Sequence, residues 1–283
     1  MDKITIITVC YNAEIYIEKT MVSVCNQDYE NLEYLIIDGQ SKDNTLKIIN
    51  EVKKRYDYKS TVEIRVISEP DTGIYNAMNK GIMIATGKWI LFMNAGDTFC
   101  SMRTISDAFS KVPSCTEKEY DGVYGDTIRI RGENRKEVEG HPLEEIADGF
   151  PLPFCHQSVF VRTSLLKELM FDEQYKQAAD YDLFCRAYIT GAHFVHVNTS
   201  ISNYLMGGIS ETNNILHWKE KIQIREKNGL QIFSTWEKRR IIAKYTIRHK
   251  IKKILPKKLI EYIVQWREQK DVKIKENKYK KNS

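Results

Sequence analysis

Short apolar runs alternate with stretches of helical period through the first hundred residues. Ile4–Cys10, Leu32–Asp38, Val62–Ser68 and Trp89–Asn94 read as strands. Ile15–Asn26, Asn44–Tyr56 and Ile74–Ala85 carry apolar residues three and four apart and read as helices. Strand and helix in this alternation predict a mostly parallel sheet with helices on both faces. The nearly unbroken apolar runs Tyr34–Ile37 and Trp89–Met93 fit strands covered on both sides.

Beyond Asp97 the rhythm changes. The pattern predicts a helix over Thr104–Lys111, then a strand over Gly122–Arg131 in which Arg129 and Arg131 alternate with Ile128 and Ile130. A Glu-rich connector to Pro153 follows, then a strand Ser158–Arg162, a helix Ser164–Met170, a loop Phe171–Ala178 and a helix Asp180–Thr190. A strand His193–Val197 and a loop Tyr204–Ser210 close the body; from about Ile215 the chain reads as helix, with Pro256 as its one break.

Charge divides the molecule. The 283 residues carry a net charge of +5, yet residues 238–283 hold 17 Lys/Arg against 4 Asp/Glu. The rest is therefore acidic, and the asymmetry points to an anionic partner for the tail. Basic residues interleaved there with Ile, Leu and Trp266 suit an anionic membrane surface, or a helix packed back on the body.

Six scattered cysteines form no C-x-x-C pair, which argues against a zinc ribbon and for a reducing, cytoplasmic setting. The start, Met1–Ile7, reads as a strand and not as a signal peptide. No run is long and apolar enough to span a bilayer.

Polar residues collect where the predicted strands end. Thr8, Tyr11 and Asn12 close the first, and Asp38-Gly39-Gln40-Ser41 closes the second. Glu69-Pro70-Asp71 closes the third, ahead of a helix containing Asn79-Lys80, and Asn94-Ala95-Gly96-Asp97 closes the fourth. In open α/β sheets that edge binds ligands.

Asp38 can accept from the N–H of a base, or cap the following helix with Ser41. Asp71 and Lys80 suit sugar hydroxyls and phosphate, or a turn and a solvated helix face. Asp97 can share a divalent cation with substrate phosphates, or cap a helix. Asp180 and Asp182 lie about 200° apart around a helix, so only one of them faces a common ligand. No G-x-G-x-x-G occurs, and Gly81 to Gly87 has the wrong spacing for a P-loop.

As an ordered set, these motifs over residues 1–210 resemble the inverting glycosyltransferases of family 2, which have the GT-A fold. They look nearest to bacterial members that build capsule, exopolysaccharide or O-antigen. The resemblance implies a body over 1–214, with a nucleotide-sugar half (1–97) and an acceptor half (98–214), followed by a basic extension over 215–283.

It also implies that Thr8, Tyr11, Asn12, Asp38, Ser41, Asp71, Asn79, Lys80, Asn94 and Gly96 line the donor site, Asp97 meets Mn2+ or Mg2+, and Asp180 is the catalytic base. His156, Gln157, Asp182, Gly207 and Gly208 complete the candidates on the acceptor side. One departure stands out: where family members often have Asp-x-Asp, this chain keeps a single carboxylate, so phosphates and water must hold most of the metal.

The implied partners are a nucleotide-sugar donor, a glycan or lipid-linked acceptor and, through 238–283, an anionic membrane surface at the inner face of the plasma membrane; nucleic acid is not expected. Two rivals differ in class. A sugar-nucleotide nucleotidyltransferase would need a Gly-rich basic loop after the first strand, where Tyr11-Asn12-Ala13-Glu14 stands. A non-enzymatic module binding anionic polymer or membrane would need only the tail.

Overall fold

The computed structural model describes residues 1–56, 62–113, 119–206 and 214–254. The first half alternates as its pattern predicts: β1 (Ile4–Cys10), α1 (Ile17–Cys25), β2 (Leu32–Asp38), α2 (Thr45–Tyr56), β3 (Glu63–Ser68), α3 (Ile74–Ile84) and β4 (Trp89–Phe92). These four strands pair in parallel in the order β3-β2-β1-β4. Every residue of β1 and β2 is buried.

Two cores follow from the strand period of two. Ile7, Val9, Leu35 and Ile37 meet α3 on one face, while Ile4, Ile6, Tyr34 and Ile36 meet α1 and α2 on the other. Gly81 lets α3 sit close: a Cβ there would lie 2.8 Å from Ile7 Cγ2.

The second half adds β5 (Thr98–Phe99), α4 (Thr104–Ser110), β6 (Gly122–Arg131), β7 (Asn134–Val138), β8 (Val159–Arg162), α5 (Thr163–Leu169), α6 (Ala179–Ile189) and β9 (Phe194–Leu205). They extend the sheet as β4-β8-β6-β9-β5, with β7 paired to β6. β8 is antiparallel to β4 and to β6, whereas β6 and β9 are parallel.

Three expectations change. The Glu-rich connector contains a strand, β7, because Gly132 (φ 59°) turns the chain back onto β6. β9 runs on to Leu205 instead of ending at Val197, since pairing with β6 and β5 supplies partners for a stretch too polar to read as strand. The helical segment breaks at residues 228–234, where Gly229 takes φ 67°, so α7 (Asn214–Lys227) and α8 (Thr235–Ile254) are separate. Pro256 lies outside the described residues.

α7, which the sequence assigns to the extension, packs into the body. Ile224 joins the core cluster, and Arg225 is 1% exposed. Its guanidinium donates to the carbonyls of Ile146 (2.7 Å), Ala147 (2.7 Å) and Gly149 (2.6 Å) and to Tyr181 Oη (2.9 Å). α8 leans on α7 through stacked Trp218 and Tyr245 rings, 3.9 Å between centroids.

A buried carboxylate fixes the approach to β4. Glu33 accepts from Thr5 Oγ1 (2.6 Å), Thr86 N–H (2.9 Å) and Thr86 Oγ1 (2.9 Å). Burial raises its pKa, but these hydrogen bonds and Lys3 outweigh burial and hold it below the ordinary value of 4.5.

Two predictions follow from these buried charges. Arg225→Met leaves the carbonyls of Ile146 and Ala147 without their donor, while Gly149 keeps Tyr181 Oη (3.1 Å), and should cost about 3 kcal/mol in denaturant unfolding. The depressed Glu33 pKa adds stability that is complete above 4.5 and is lost as pH falls through the lower folded value. Unfolding measured from pH 6 downward should therefore show a shallower acid-side loss in Glu33→Gln than in the wild type.

Candidate functional site

The carboxyl ends of β1, β2 and β3 form one cleft, with Gly39 at its centre. A Cβ at Gly39 would press on the Asp71 carboxylate and lie 3.4 Å from Tyr11 Cδ2, so any larger residue must push the Asp71 side chain aside. Tyr11 is 60% exposed, an aromatic ring with no core to join. Asp71 is half-buried, with Oδ1 accepting from Gly73 N–H (3.0 Å).

Other predicted donor-site residues build the walls of this cleft. Asp38 is fully buried and accepts from Ser41 Oγ (2.5 Å), Ser41 N–H (3.1 Å) and Ser68 Oγ (2.6 Å). Asn12, in the left-handed region at φ 50°, accepts from Lys42 N–H, and its own N–H donates to Ser41 Oγ, both at 2.8 Å. The loops after β1 and β2 are thus tied together.

Thr8 is not brought to the cleft: its hydroxyl is buried between Tyr34 Oη (2.9 Å) and the Met93 carbonyl (2.7 Å). Asn79 and Lys80 also face protein. Lys80 Nζ donates to the Pro70 carbonyl (2.6 Å) and pairs with Glu69 (2.9 Å).

Asn79 Nδ2 donates to the Phe171 carbonyl (2.9 Å) and Glu173 (3.0 Å), while Asn79 Oδ1 accepts from Phe171 N–H (2.9 Å). Glu173, which sequence reasoning missed, also accepts from Thr72 and Asn76. This polar clamp ties α3 to the loop that leads into α6.

The chemistry converges beyond β4. Asp97 is 4% exposed, with Oδ1 accepting from Leu205 N–H (2.9 Å) and Oδ2 from Gln157 Nε2 (3.0 Å). Burial pushes its carboxyl up to about 6, against the pull of those two donors and His156. Gly96, at φ 107°, anchors the turn by donating its N–H to Thr20 Oγ1 (2.9 Å).

His156 lies between the halves. Its Nε2 is 3.2 Å from Asn94 Nδ2, and its Nδ1 is 3.6 Å from Asp180 Oδ2.

Asp180 sits in the first turn of α6, where the helix dipole favours a negative charge. Its side chain is 21% exposed, and Oδ1 accepts from Tyr181 N–H (2.8 Å) and Tyr75 Oη (3.4 Å). Burial raises its pKa, but His156, Lys221 and the Tyr181 N–H bring it net below the ordinary carboxylate value. Asp180 is therefore an ionised, partly open acceptor at neutral pH.

Lys221 comes from α7, where no motif marked it. Its Nζ donates to the Phe150 carbonyl (2.8 Å) above the Tyr181 ring (4.3 Å to centroid), and burial pushes its ammonium down to about 8.

Asp182 is turned away, fully buried against Arg186 Nε (2.7 Å), whose guanidinium also holds the carbonyls of Leu169 and Met170. Gly207 and Gly208 lie outside the described residues. Among the described residues, no three His, Cys, Asp or Glu side chains gather as a metal cage.

The donors that are present still suit a hard cation. The Asp97 carboxylate and Asn94 Oδ1, a buried oxygen with no hydrogen-bond partner, are oxygen ligands that leave most positions for phosphates and water. Such a site fits an ion arriving with its ligand.

Comparison with known proteins places the chain among relatives of one kind. The family model described as "Glycosyl transferase family 2" matches residues 5–192. The PGL/p-HBAD biosynthesis glycosyltransferase of Mycobacterium tuberculosis is 28% identical over 216 residues, covering 74% of this chain and 80% of that protein. The GalNAc(5)-diNAcBac-PP-undecaprenol beta-1,3-glucosyltransferase of Campylobacter jejuni is 24% identical over 204 residues, covering 69% and 63%.

Among solved structures, S. aureus TarS 1–349 with UDP-GlcNAc superposes with a TM-score of 0.63 at 20% identity, over 87% of this chain and 72% of that one. The mannosyltransferase PcManGT from Pyrobaculum calidifontis, with GDP-Man and Mn2+, gives 0.60 at 15% identity, over 86% and 68%. The fold is the α/β GT-A fold that the motifs imply.

The cleft predicts its own test. Gly39→Ala forces Asp71 aside without touching a core, so it should weaken binding of a nucleoside diphosphate by about tenfold or more in calorimetry while leaving thermal unfolding nearly unchanged.

Proposed function

The chain belongs to glycosyl transferase family 2 and is a glycosyltransferase, and on that premise we propose that it moves a sugar from a nucleotide-diphosphate donor to a hydroxyl of a glycan or lipid-linked acceptor, with inversion, in cell-surface polysaccharide synthesis. One observation carries the assignment of roles: Asp180, in the first turn of α6, is kept ionised and partly open beside His156, which also meets Asn94, three residues before Asp97. Solved neighbours hold UDP-GlcNAc or GDP-Man, one of them with Mn2+, and one relative is named for transfer to an undecaprenol-linked glycan.

In this reading Tyr11 and Asp71 hold the nucleoside around Gly39, and the loops tied by Asp38, Asn12 and Ser41 keep that cleft open. Asp180 Oδ2 takes the proton of the attacking hydroxyl as the new bond to the anomeric carbon forms and the bond to the diphosphate breaks. A lone base opposite the leaving group gives direct displacement, and so inversion, as argued for hydrolases that use water instead. A divalent cation held by Asp97 and Asn94 would supply positive charge for the departing diphosphate.

Tyr75 and His156 orient the Asp180 carboxylate. The Tyr181 N–H holds its other oxygen, so the base keeps one direction. Such a base contributes about 10²–10⁴-fold.

Asp180→Asn should lose transfer by that factor and retain donor binding, since the amide oxygen can still accept from Tyr181 N–H. Wild-type turnover in this variant would remove Asp180 from the role of base. Release of nucleoside diphosphate from UDP-, GDP- and dTDP-sugars identifies the donor, and NMR of the product's anomeric proton tests inversion. Asp97→Asn should abolish the stimulation of that release by Mn2+.

A further inference from the structure

The outward face of α8 has no part in the chemistry above, yet its composition is unusual. Trp236 is 65% exposed and Ile247 57%, and Ile232 on the preceding connector is 88% exposed. Single exposed apolar residues are ordinary, whereas several together on a basic helix call for a cause. Trp236, Arg240, Ala243 and Ile247 recur at i, i+4, i+7 and i+11, which places them on one stripe, and all four are exposed. Exposed Arg239 and Lys244 flank that stripe.

The opposite face is already engaged. Tyr245 stacks on Trp218, and Lys238 Nζ bonds Glu226 Oε2 at 2.8 Å. The Arg240 guanidinium lies 5.3 Å from the centre of the Trp236 ring, so cation and aromatic share one patch. Over its length α8 carries eight Lys/Arg and one Glu.

We propose that this stripe docks on an anionic phospholipid surface, with Trp236 and Ile247 at the boundary of headgroups and acyl chains and Arg239, Arg240 and Lys244 on headgroup phosphates. The cations match the surface charge, and an indole with a neighbouring aliphatic side chain suits a layer that is wet on one side and oily on the other. A purely polyanionic partner would use the cations and leave Ile247 without a role. No helix among the described residues is long and apolar enough to cross a membrane, so the contact lies on the surface.

The proposal stands apart from the catalytic reading, although a lipid-linked acceptor would be presented at the same surface. It is tested with the full chain and no sugar nucleotide, by sedimentation with phosphatidylcholine vesicles with and without phosphatidylglycerol. Binding should require phosphatidylglycerol and fall with added salt.

Replacing Arg239, Arg240 and Lys244 together with Gln should lower partition on the order of a hundredfold. The double variant Trp236→Ser, Ile247→Ser should lower it about tenfold or more at unchanged charge. Both variants should retain their melting temperature and their release of nucleoside diphosphate with a soluble acceptor.

Three results would overturn the proposal. One is wild-type sedimentation by both variants, which would place membrane binding elsewhere in the chain. Another is self-association without vesicles that Trp236→Ser abolishes. The third is binding of polyphosphate as tight as that of vesicles and indifferent to the apolar substitutions.

Discussion

The buried carboxylate of Asp97 organises the centre of this molecule. Its two oxygens are taken by the Gln157 amide and the Leu205 N–H, groups 60 and 108 residues further along the chain. A carboxylate out of water needs such partners, and their absence would leave its desolvation uncompensated. Satisfying it draws together the end of β4, the turn before β8 and the end of β9. His156 is thereby carried to Asp180, and the turn after β4 is set against the start of α6.

The polar residues at the sheet edge divide into two kinds. Asp38, Asn12, Ser41, Asn79 and Lys80 spend their polar atoms on ties between neighbouring segments, whereas the Tyr11 ring is exposed and Asp71 and Asp180 each hold one oxygen by a backbone N–H and leave the carboxylate partly exposed. The first kind makes the second possible. A cleft lined by flexible loops would lose its shape, and the paired loops around Gly39 and the clamp at Glu173 hold it open.

α7 shows how composition can mislead about architecture. It follows the last strand and falls within the stretch 215–283 that reads as a helical, basic extension. Yet Arg225 spends its charge on three carbonyls and a tyrosine, and Lys221 comes to lie above Tyr181, where it helps keep Asp180 ionised. The helix therefore packs as part of the body, whereas α8 turns an exposed basic face outward.

Strand and helix positions were legible where a segment obeys a local period: β1 and β2 in the first half and β6 in the second begin and end where the pattern says. The cleft at Gly39, the turn at Asp97 and the helix start at Asp180 were legible too, since small and acidic residues at strand and helix ends are local signals. β5 and β7, the length of β9, and the partners Tyr75, Glu173 and Lys221 were not. Two-residue strands have no period, and a hydrogen bond across a hundred residues leaves no mark in either segment. The sequence by itself determined which segments became strands and helices and where carboxylates would meet the sheet edge, because backbone preference and apolar period act over a few residues. Only the tertiary structure decided which of those polar groups stay open and which are consumed, because that depends on which distant donors burial brings within hydrogen-bond reach.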